Sequence, residues 1–198
     1  MVHGHRDDAE ALRDEVSDVL APLGLRLAAE KTRVCSIDEG FDFLGWHIQR
    51  RRKRGTGKHY VYTYPSRRSL IAIRRKVRML TRRTSQPNLR LLLLRVNAVL
   101  RGWANYFKHG VSKRSFSTLG HFAWRRVIGW LRQRHLGLNW TAIRRRFLQG
   151  WEIVCDGITL YNPATVAITR YRYRGARIPS PWNLTVDTNA RLVESRMR

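Results

Sequence analysis

From residue 46 to residue 150 the sequence holds no aspartate and no glutamate, while the same stretch carries 27 lysines and arginines. A segment so composed cannot neutralise itself with internal salt bridges, and its self-repulsion opposes compaction unless counterions or a polyanion gather around it. Cysteine is scarce as well: Cys35 and Cys155 stand far apart without a CxxC pair, which excludes a disulfide scaffold and a cysteine zinc site. No run approaches the roughly 18 apolar residues that cross a bilayer, and the opening MVHGHRDDAEALRDE lacks the apolar core of a secretory signal. These absences lead to the expectation of a cytoplasmic protein with no membrane partner.

What is present is enough apolar material for a core, 43% of 198 residues, under a formal charge of +25. The size fits one compact domain or two small ones. The charge is unevenly spread. Residues 1–45 hold 5 basic and 10 acidic side chains, and residues 151–198 hold 7 and 4. Of the 39 basic residues 33 are arginine, whose guanidinium forks onto phosphate and stacks on bases or aromatic rings. Nucleic acid is therefore the leading partner, although charge alone does not separate RNA from DNA.

The pattern along the chain predicts an α+β fold. Ala9, Leu12, Val16, Val19 and Leu20 recur at helical intervals from Asp8 to Leu20, with acidic residues in the first turns, and Pro22 and Gly24 end the helix. A short segment at Arg26 to Val34 and the alternation Phe41, Phe43 broken by Gly45 follow. Tyr60, Tyr62 and Tyr64 alternate into a strand closed by Pro65, and RRRKRGTG before it reads as the turn of a long β-hairpin. A short sheet with a single helix has poor means of covering its second face. Beyond Pro65 the pattern turns helical. Ser66 or Ser69 is placed to cap a helix to about Arg83, with Leu70, Ile73, Val77 and Leu80 on one face. A second helix starts near Pro87 and Asn88 and carries the apolar line Leu91, Leu94, Ala98, Gly102 and Tyr106 toward Phe107. A third spans Phe116 to Arg134 with Leu119, Phe122, Ala123, Val127, Trp130 and Leu131, and Asn139 caps a short fourth through Phe147. Turns and short extended pieces are expected in the last fifty residues.

Five phrases point in one direction: GLRLAAEKTRV at Gly24 to Val34, GFDFLGWHI at Gly40 to Ile48, RGWANYF at Arg101 to Phe107, FAWRRVIGWLRQRH at Phe122 to His135, and YRYRGARIPSPW at Tyr171 to Trp182. In this order they make the chain resemble the C-terminal part of group II intron reverse transcriptase/maturases over nearly its whole length. The resemblance implies a palm remnant with its long hairpin at 1–65, thumb-like helices at 66–110, and a maturase-like RNA-binding region with an irregular tail at 111–198. It also implies binding to structured intron RNA, which the family's maturase domain helps to fold for splicing. The departures matter equally. The YADD box of the family's polymerase site is missing, and the sequence reads as starting just after the hairpin that would carry it. Two-metal nucleotidyl transfer needs fixed carboxylates, and the adjacent Asp7 and Asp8 fit the acidic first turn of a helix, where neighbours do not face one site. Nothing after Trp182 supplies the His/Cys groups of the family's nuclease module. No catalytic residue, metal site or cofactor is therefore expected in this chain alone; a divalent metal enters only with a complementary palm fragment.

Candidate RNA-binding residues are basic and grouped. They are Lys31 in the EKT phrase, the hairpin tip Arg50, Arg51, Arg52, Lys53, Arg54 and Lys58, and Arg74, Arg75, Arg78, Arg82 and Arg83 on the thumb-like helix. Further along come Arg125, Arg126, Arg132, Arg134 and His135, then Arg144, Arg145 and Arg146, then Arg172, Arg174 and Arg177 interleaved with Tyr171 and Tyr173. Each group is open to the plainer reading of a solvated surface. Trp103, Tyr106, Phe107, Trp124 and Trp130 are read as structural aromatics, with base stacking the alternative. His3, His5 and the cysteines lack the company a metal site needs. Three functions stay open. The first is an RNA-binding maturase-like protein assisting intron folding and splicing. The second is half of a split or truncated RNA-directed DNA polymerase, paired with an upstream-encoded palm and fingers fragment and contacting a DNA target or RNA–DNA duplex, or else a non-functional mobile-element remnant. The third is a general basic RNP-associated protein.

Overall fold

The computed structural model describes residues 5–169, an α+β arrangement of five helices, two small antiparallel sheets and two short 3-10 turns. Helix α1 (Arg6–Leu20) opens with the Asp8 carboxylate accepting the His5 backbone N–H at 2.7 Å. Asp7 and Asp8 set negative charge where the helix dipole is positive, and Arg6 pairs with Glu10 one turn on at 2.8 Å. A 3-10 turn at Ala21–Leu23 stops it, with Gly24 at φ +70°. The helix buries none of its residues; Leu12, Val16 and Val19 of its apolar stripe face solvent, as do Leu23 and Leu25 beyond it.

Strands β1 (Phe41–Phe43), β2 (Trp46–Arg52) and β3 (His59–Pro65) form one meander. Phe43 pairs with Trp46, so Leu44 and Gly45 alone make the first turn, both at positive φ (+46° and +82°) as a hairpin turn of the I′ kind requires. Glycine takes that conformation freely and leucine does not. The strain is held by external bonds: Tyr106 Oη donates to the Leu44 carbonyl at 2.7 Å, and Ser69 Oγ donates to the Gly45 carbonyl at 2.9 Å. Strands β2 and β3 pair from Trp46↔Pro65 to Arg52↔His59, which corrects the expected turn: Arg50, Arg51 and Arg52 of the basic run are paired strand residues opposite Val61, Tyr60 and His59, and only residues 53–58 connect the strands.

Helices α2 (Arg67–Leu80), α3 (Leu89–Phe107), α4 (Lys113–Arg134) and α5 (Trp140–Phe147) follow. Ser66, Asn88 and Asn139 cap α2, α3 and α5 by accepting the N–H three residues on. Helix α2 ends at Leu80, short of the expected Arg83, because Thr81 turns its hydroxyl back to the Val77 carbonyl at 2.8 Å and Ser85 donates to the Leu80 carbonyl at 2.5 Å. These bonds satisfy carbonyls that a continuing helix would use. One core joins Ile73 and Val77 of α2, Leu92, Leu93, Val96 and Leu100 of α3, Leu119, Ala123, Val127 and Leu131 of α4, and Ile143 of α5. The apolar line expected along α3 is corrected here: Leu94, Ala98, Gly102 and Tyr106 are exposed, and Leu89, Leu93, Val96, Leu100 and Phe107 make the buried face. Leucine occupies 89 and all of 91–94, so the start of this helix is apolar on every side and two helical registers fit equally well.

Strands β4 (Leu148–Gln149), β5 (Glu152–Cys155) and β6 (Ile158–Thr159) form a second small meander against α3, followed by a 3-10 turn at Pro163–Thr165. Asn97 fastens it. Buried on α3, its Nδ2 donates to the Thr159 carbonyl at 2.8 Å, and its Oδ1 accepts the Tyr161 N–H at 2.7 Å. Both ends of the amide are thus satisfied, as burial demands.

Candidate nucleic-acid interface

Helix α4 has a core face and an opposite face that is basic. Arg114, His121, Arg125 and Arg132 are exposed and follow one another at intervals of 7, 4 and 7. At about 100° per residue these positions lie within about 40° of each other, and at about 1.5 Å per residue they span about 27 Å. The three arginine side chains have no hydrogen bond, ion pair or ring contact among the described residues. Arg125 and Arg132 stand out in the sequence as parts of basic clusters. Arg114 and His121 do not, yet Arg114 stands 11 and 18 residues before Arg125 and Arg132, and His121 stands 4 and 11 before them, all spacings that return to one helix face.

The remaining arginines show how a protein manages positive charge without carboxylates. Among the described residues the ion pairs Arg6–Glu10, Arg13–Asp14 and Arg50–Asp38 all take their carboxylate from the first 42 residues. Later arginines dock on ring faces and carbonyls instead. Arg74 and Arg78 lie over the Phe122 ring at 5.7 and 5.3 Å, Arg101 over Tyr161 at 5.3 Å, and Arg146 over Phe147 at 5.4 Å. Arg126 donates through Nε to Thr81 Oγ1 at 2.9 Å and through Nη2 to the Thr81 carbonyl at 3.3 Å, setting a cation at the C-terminus of α2. Arg134 donates to the Pro87 carbonyl at 2.6 Å and covers the buried Trp130, while His135 stacks on Phe147. Such contacts orient a guanidinium but leave its charge in place. The field of the helical body therefore stays positive.

The hairpin tip divides in the same way. Arg50 grips Asp38 through two bonds of 2.6 and 2.5 Å, which holds the Asp38 carboxyl below the usual carboxylate range and raises Arg50. Arg51 donates to Gln49 Oε1 at 2.6 Å and lies over Tyr64, and Lys53 lies over Tyr60. Arg52, Arg54 and Lys58 are exposed without side-chain partners among the described residues, and so are Lys31, Arg75, Arg82, Arg83 and Arg145. Arg172, Arg174 and Arg177, with Tyr171 and Tyr173, lie outside the described residues.

The aromatic residues tie the pieces together. Trp103, half-buried, sits 4.6 Å from Phe107 and 5.8 Å from Phe116, and Phe107 meets Trp46 of β2 at 4.7 Å. Tyr106 is half-exposed, with its hydroxyl on the Leu44 turn. Trp124 is half-buried and donates through Nε1 to the Trp151 carbonyl at 2.8 Å. Among the described residues no three His, Cys, Asp or Glu side chains are grouped as metal ligands, and no helix is long and apolar enough to cross a membrane. Burial pushes the Cys155 thiol up, disfavouring the thiolate.

Comparison with known proteins accords with this geometry. Residues 70–150, the stretch that runs from α2 to the start of the second sheet, match the family model described as group II intron, maturase-specific domain. The chain is also similar to Protein YkfC of Escherichia coli (strain K12), at 36% identity over 86 residues that cover 40% of this chain and 23% of that protein. It thus spans less than a quarter of the length of that relative.

Proposed function

We propose that the chain binds structured intron RNA through its arginine surfaces and assists the folding that splicing requires, a reading supported by the match of residues 70–150 to the family model described as group II intron, maturase-specific domain. The observation that carries this reading is the exposed row Arg114, Arg125 and Arg132 on α4, unpaired among the described residues and inside the matched segment. The exposed and unpartnered Arg75, Arg82, Arg83 and Arg145 extend the phosphate-binding surface, and Arg52, Arg54 and Lys58 add a second contact on the hairpin. Arginines already docked on rings or carbonyls, such as Arg126 and Arg134, contribute field more than direct contact.

The mechanism is linkage. A protein that binds the folded RNA and not its open forms stabilises the fold by RT ln(1 + [protein]/Kd), about 2.7 kcal/mol at a hundredfold excess over Kd. The protein supplies position and charge neutralisation, and the RNA supplies the chemistry. Phosphate contacts alone do not read sequence, so preference for an intron comes from the spacing of phosphates in its fold. In a splicing assay of a group II intron transcript, at a divalent-ion concentration too low for efficient folding of the RNA alone, the protein should raise the spliced fraction severalfold. A transcript whose splicing is indifferent to saturating protein contradicts the proposal.

A further inference from the structure

The turn between β4 and β5 presents a tryptophan to solvent. Gln149 pairs with Glu152, so Gly150 and Trp151 alone make the turn, with Gly150 at φ +62° in the first position, as a II′ hairpin turn favours. The second position of such a turn makes no demand for an aromatic residue. Trp151 nevertheless occupies it and is 64% exposed, one of the most exposed large apolar side chains among the described residues. Its backbone is fixed, because the Trp151 carbonyl accepts the Trp124 indole N–H at 2.8 Å. Its ring is fixed too: the Arg144 guanidinium lies 5.3 Å from the ring centroid, and the Trp124 ring stands at 6.2 Å, tilted by 56°. An indole with a cation over its ring and a tilted ring nearby, and with most of its surface open, is a preorganised flat surface and not a packing element.

Its electrostatic setting selects the occupant. Arg145 and Arg146 follow Arg144 on α5, and Arg125 follows Trp124 on α4. The nearest carboxylates in the chain are Glu152 and Asp156, against 27 basic residues in the preceding segment. A flat apolar ligand carried on an anionic backbone meets both features, and a nucleobase with its phosphates is such a ligand. A paired base keeps both faces inside its own helix, so the ring can take only a base that is unstacked. We propose that Trp151, backed by Arg144, is a stacking platform for one unpaired nucleobase. The proposal rests on the RNA-binding reading above and adds to it a site for single-stranded or looped-out nucleotides beside the phosphate-binding row.

The test uses the full chain and two probes of equal charge: a 12-nucleotide single-stranded RNA and a 12-unit abasic strand with the same phosphates. Trp151→Leu keeps apolar bulk without a π face, and Trp151→Phe keeps a smaller ring. Neither touches the Trp124 bond, which is made to the main chain. Wild type should bind the base-bearing strand more tightly. Trp151→Leu should weaken that strand by about 5- to 100-fold, leave the abasic strand unchanged, and leave the salt slope of binding unchanged. Trp151→Phe should retain most of the affinity. If Trp151→Leu binds both strands as wild type does, or loses affinity for both alike, the platform is overturned while the RNA-binding reading stands. If wild type binds neither strand at 50 mM salt but still binds a structured intron RNA, the platform alone is overturned; if it binds none of the three, both are overturned.

Discussion

Replacing Arg114, Arg125 and Arg132 together with glutamine is expected to weaken RNA binding by about a hundredfold at 0.15 M monovalent salt. Each phosphate contact releases condensed counterions and contributes about 0.7 to 0.9 to the slope of log affinity against log salt, so three contacts contribute about two to three. Carried from 1 M down to 0.15 M salt, that slope amounts to about two orders of magnitude. Glutamine has nearly the helix propensity of arginine, and the three exposed side chains make no hydrogen bond, ion pair or ring contact among the described residues, so α4 keeps its fold. The measurement is filter binding of a structured RNA from 50 to 400 mM salt, with a thermal melt of the variant as its control. An unchanged slope in a variant that melts like wild type shows that this row does not meet phosphate.

The second large effect concerns stability. Gly110 lies buried in the loop between α3 and α4, where the next residue, Val111, donates its N–H to the Thr63 carbonyl of β3 at 2.7 Å. A Cβ on Gly110 would stand 2.7 Å from that same carbonyl oxygen and 2.8 Å from Trp46 Cη2, with Cζ3 closer still. Neither neighbour has room to yield: the Thr63 carbonyl is main chain in a paired strand, and Trp46 is pinned by Phe107 at 4.7 Å and Tyr106 at 5.9 Å. Gly110→Ala should therefore cost about 3 kcal/mol, at the upper end of overpacking, and lower Tm by about 6 to 12 °C for a chain of this size. Gly102 provides the matched control. It is an exposed glycine inside α3 where a Cβ meets nothing within 4 Å, so Gly102→Ala should stabilise by up to about 1 kcal/mol. Equal melting of the two variants contradicts the packing account.

Local chemistry was legible in the residues, and tertiary choice was not. Ser66, Asn88 and Asn139 announce their helices because a capping side chain and an orphan N–H lie three residues apart. The β2–β3 hairpin is announced by alternating tyrosines and a Gly-rich basic turn. The core face of α3 is not fixed by its sequence, since Leu91 to Leu94 cover a full turn and only packing against α2 and α4 decides which of them go inside. The end of α2 depends on the Thr81 and Ser85 hydroxyls turning back, a competition that periodicity does not register. Basic residues could be grouped along the chain but not sorted. Nothing local distinguishes Arg125, which has no side-chain partner among the described residues, from Arg126, whose guanidinium reaches Thr81 45 positions away. Arg114 has no basic neighbour beyond Lys113 in sequence, and its company on the helix surface, Arg125 and Arg132, stands 11 and 18 residues on. The exposure of Trp151 follows from a turn only two residues long, which shows itself once the β4–β5 register is known.

The central claim is that a folded intron RNA is recognised by this chain's own surface, and equilibrium binding tests it most directly. The purified 198-residue chain would be titrated with a structured group II intron RNA and with an unrelated structured RNA of equal length, across a salt series. The account predicts tighter binding to the intron, by at least about tenfold, with a preference that persists as salt rises and the shared phosphate term fades. Equal affinities that fall together with salt would contradict it, leaving a basic surface that holds any polyanion alike.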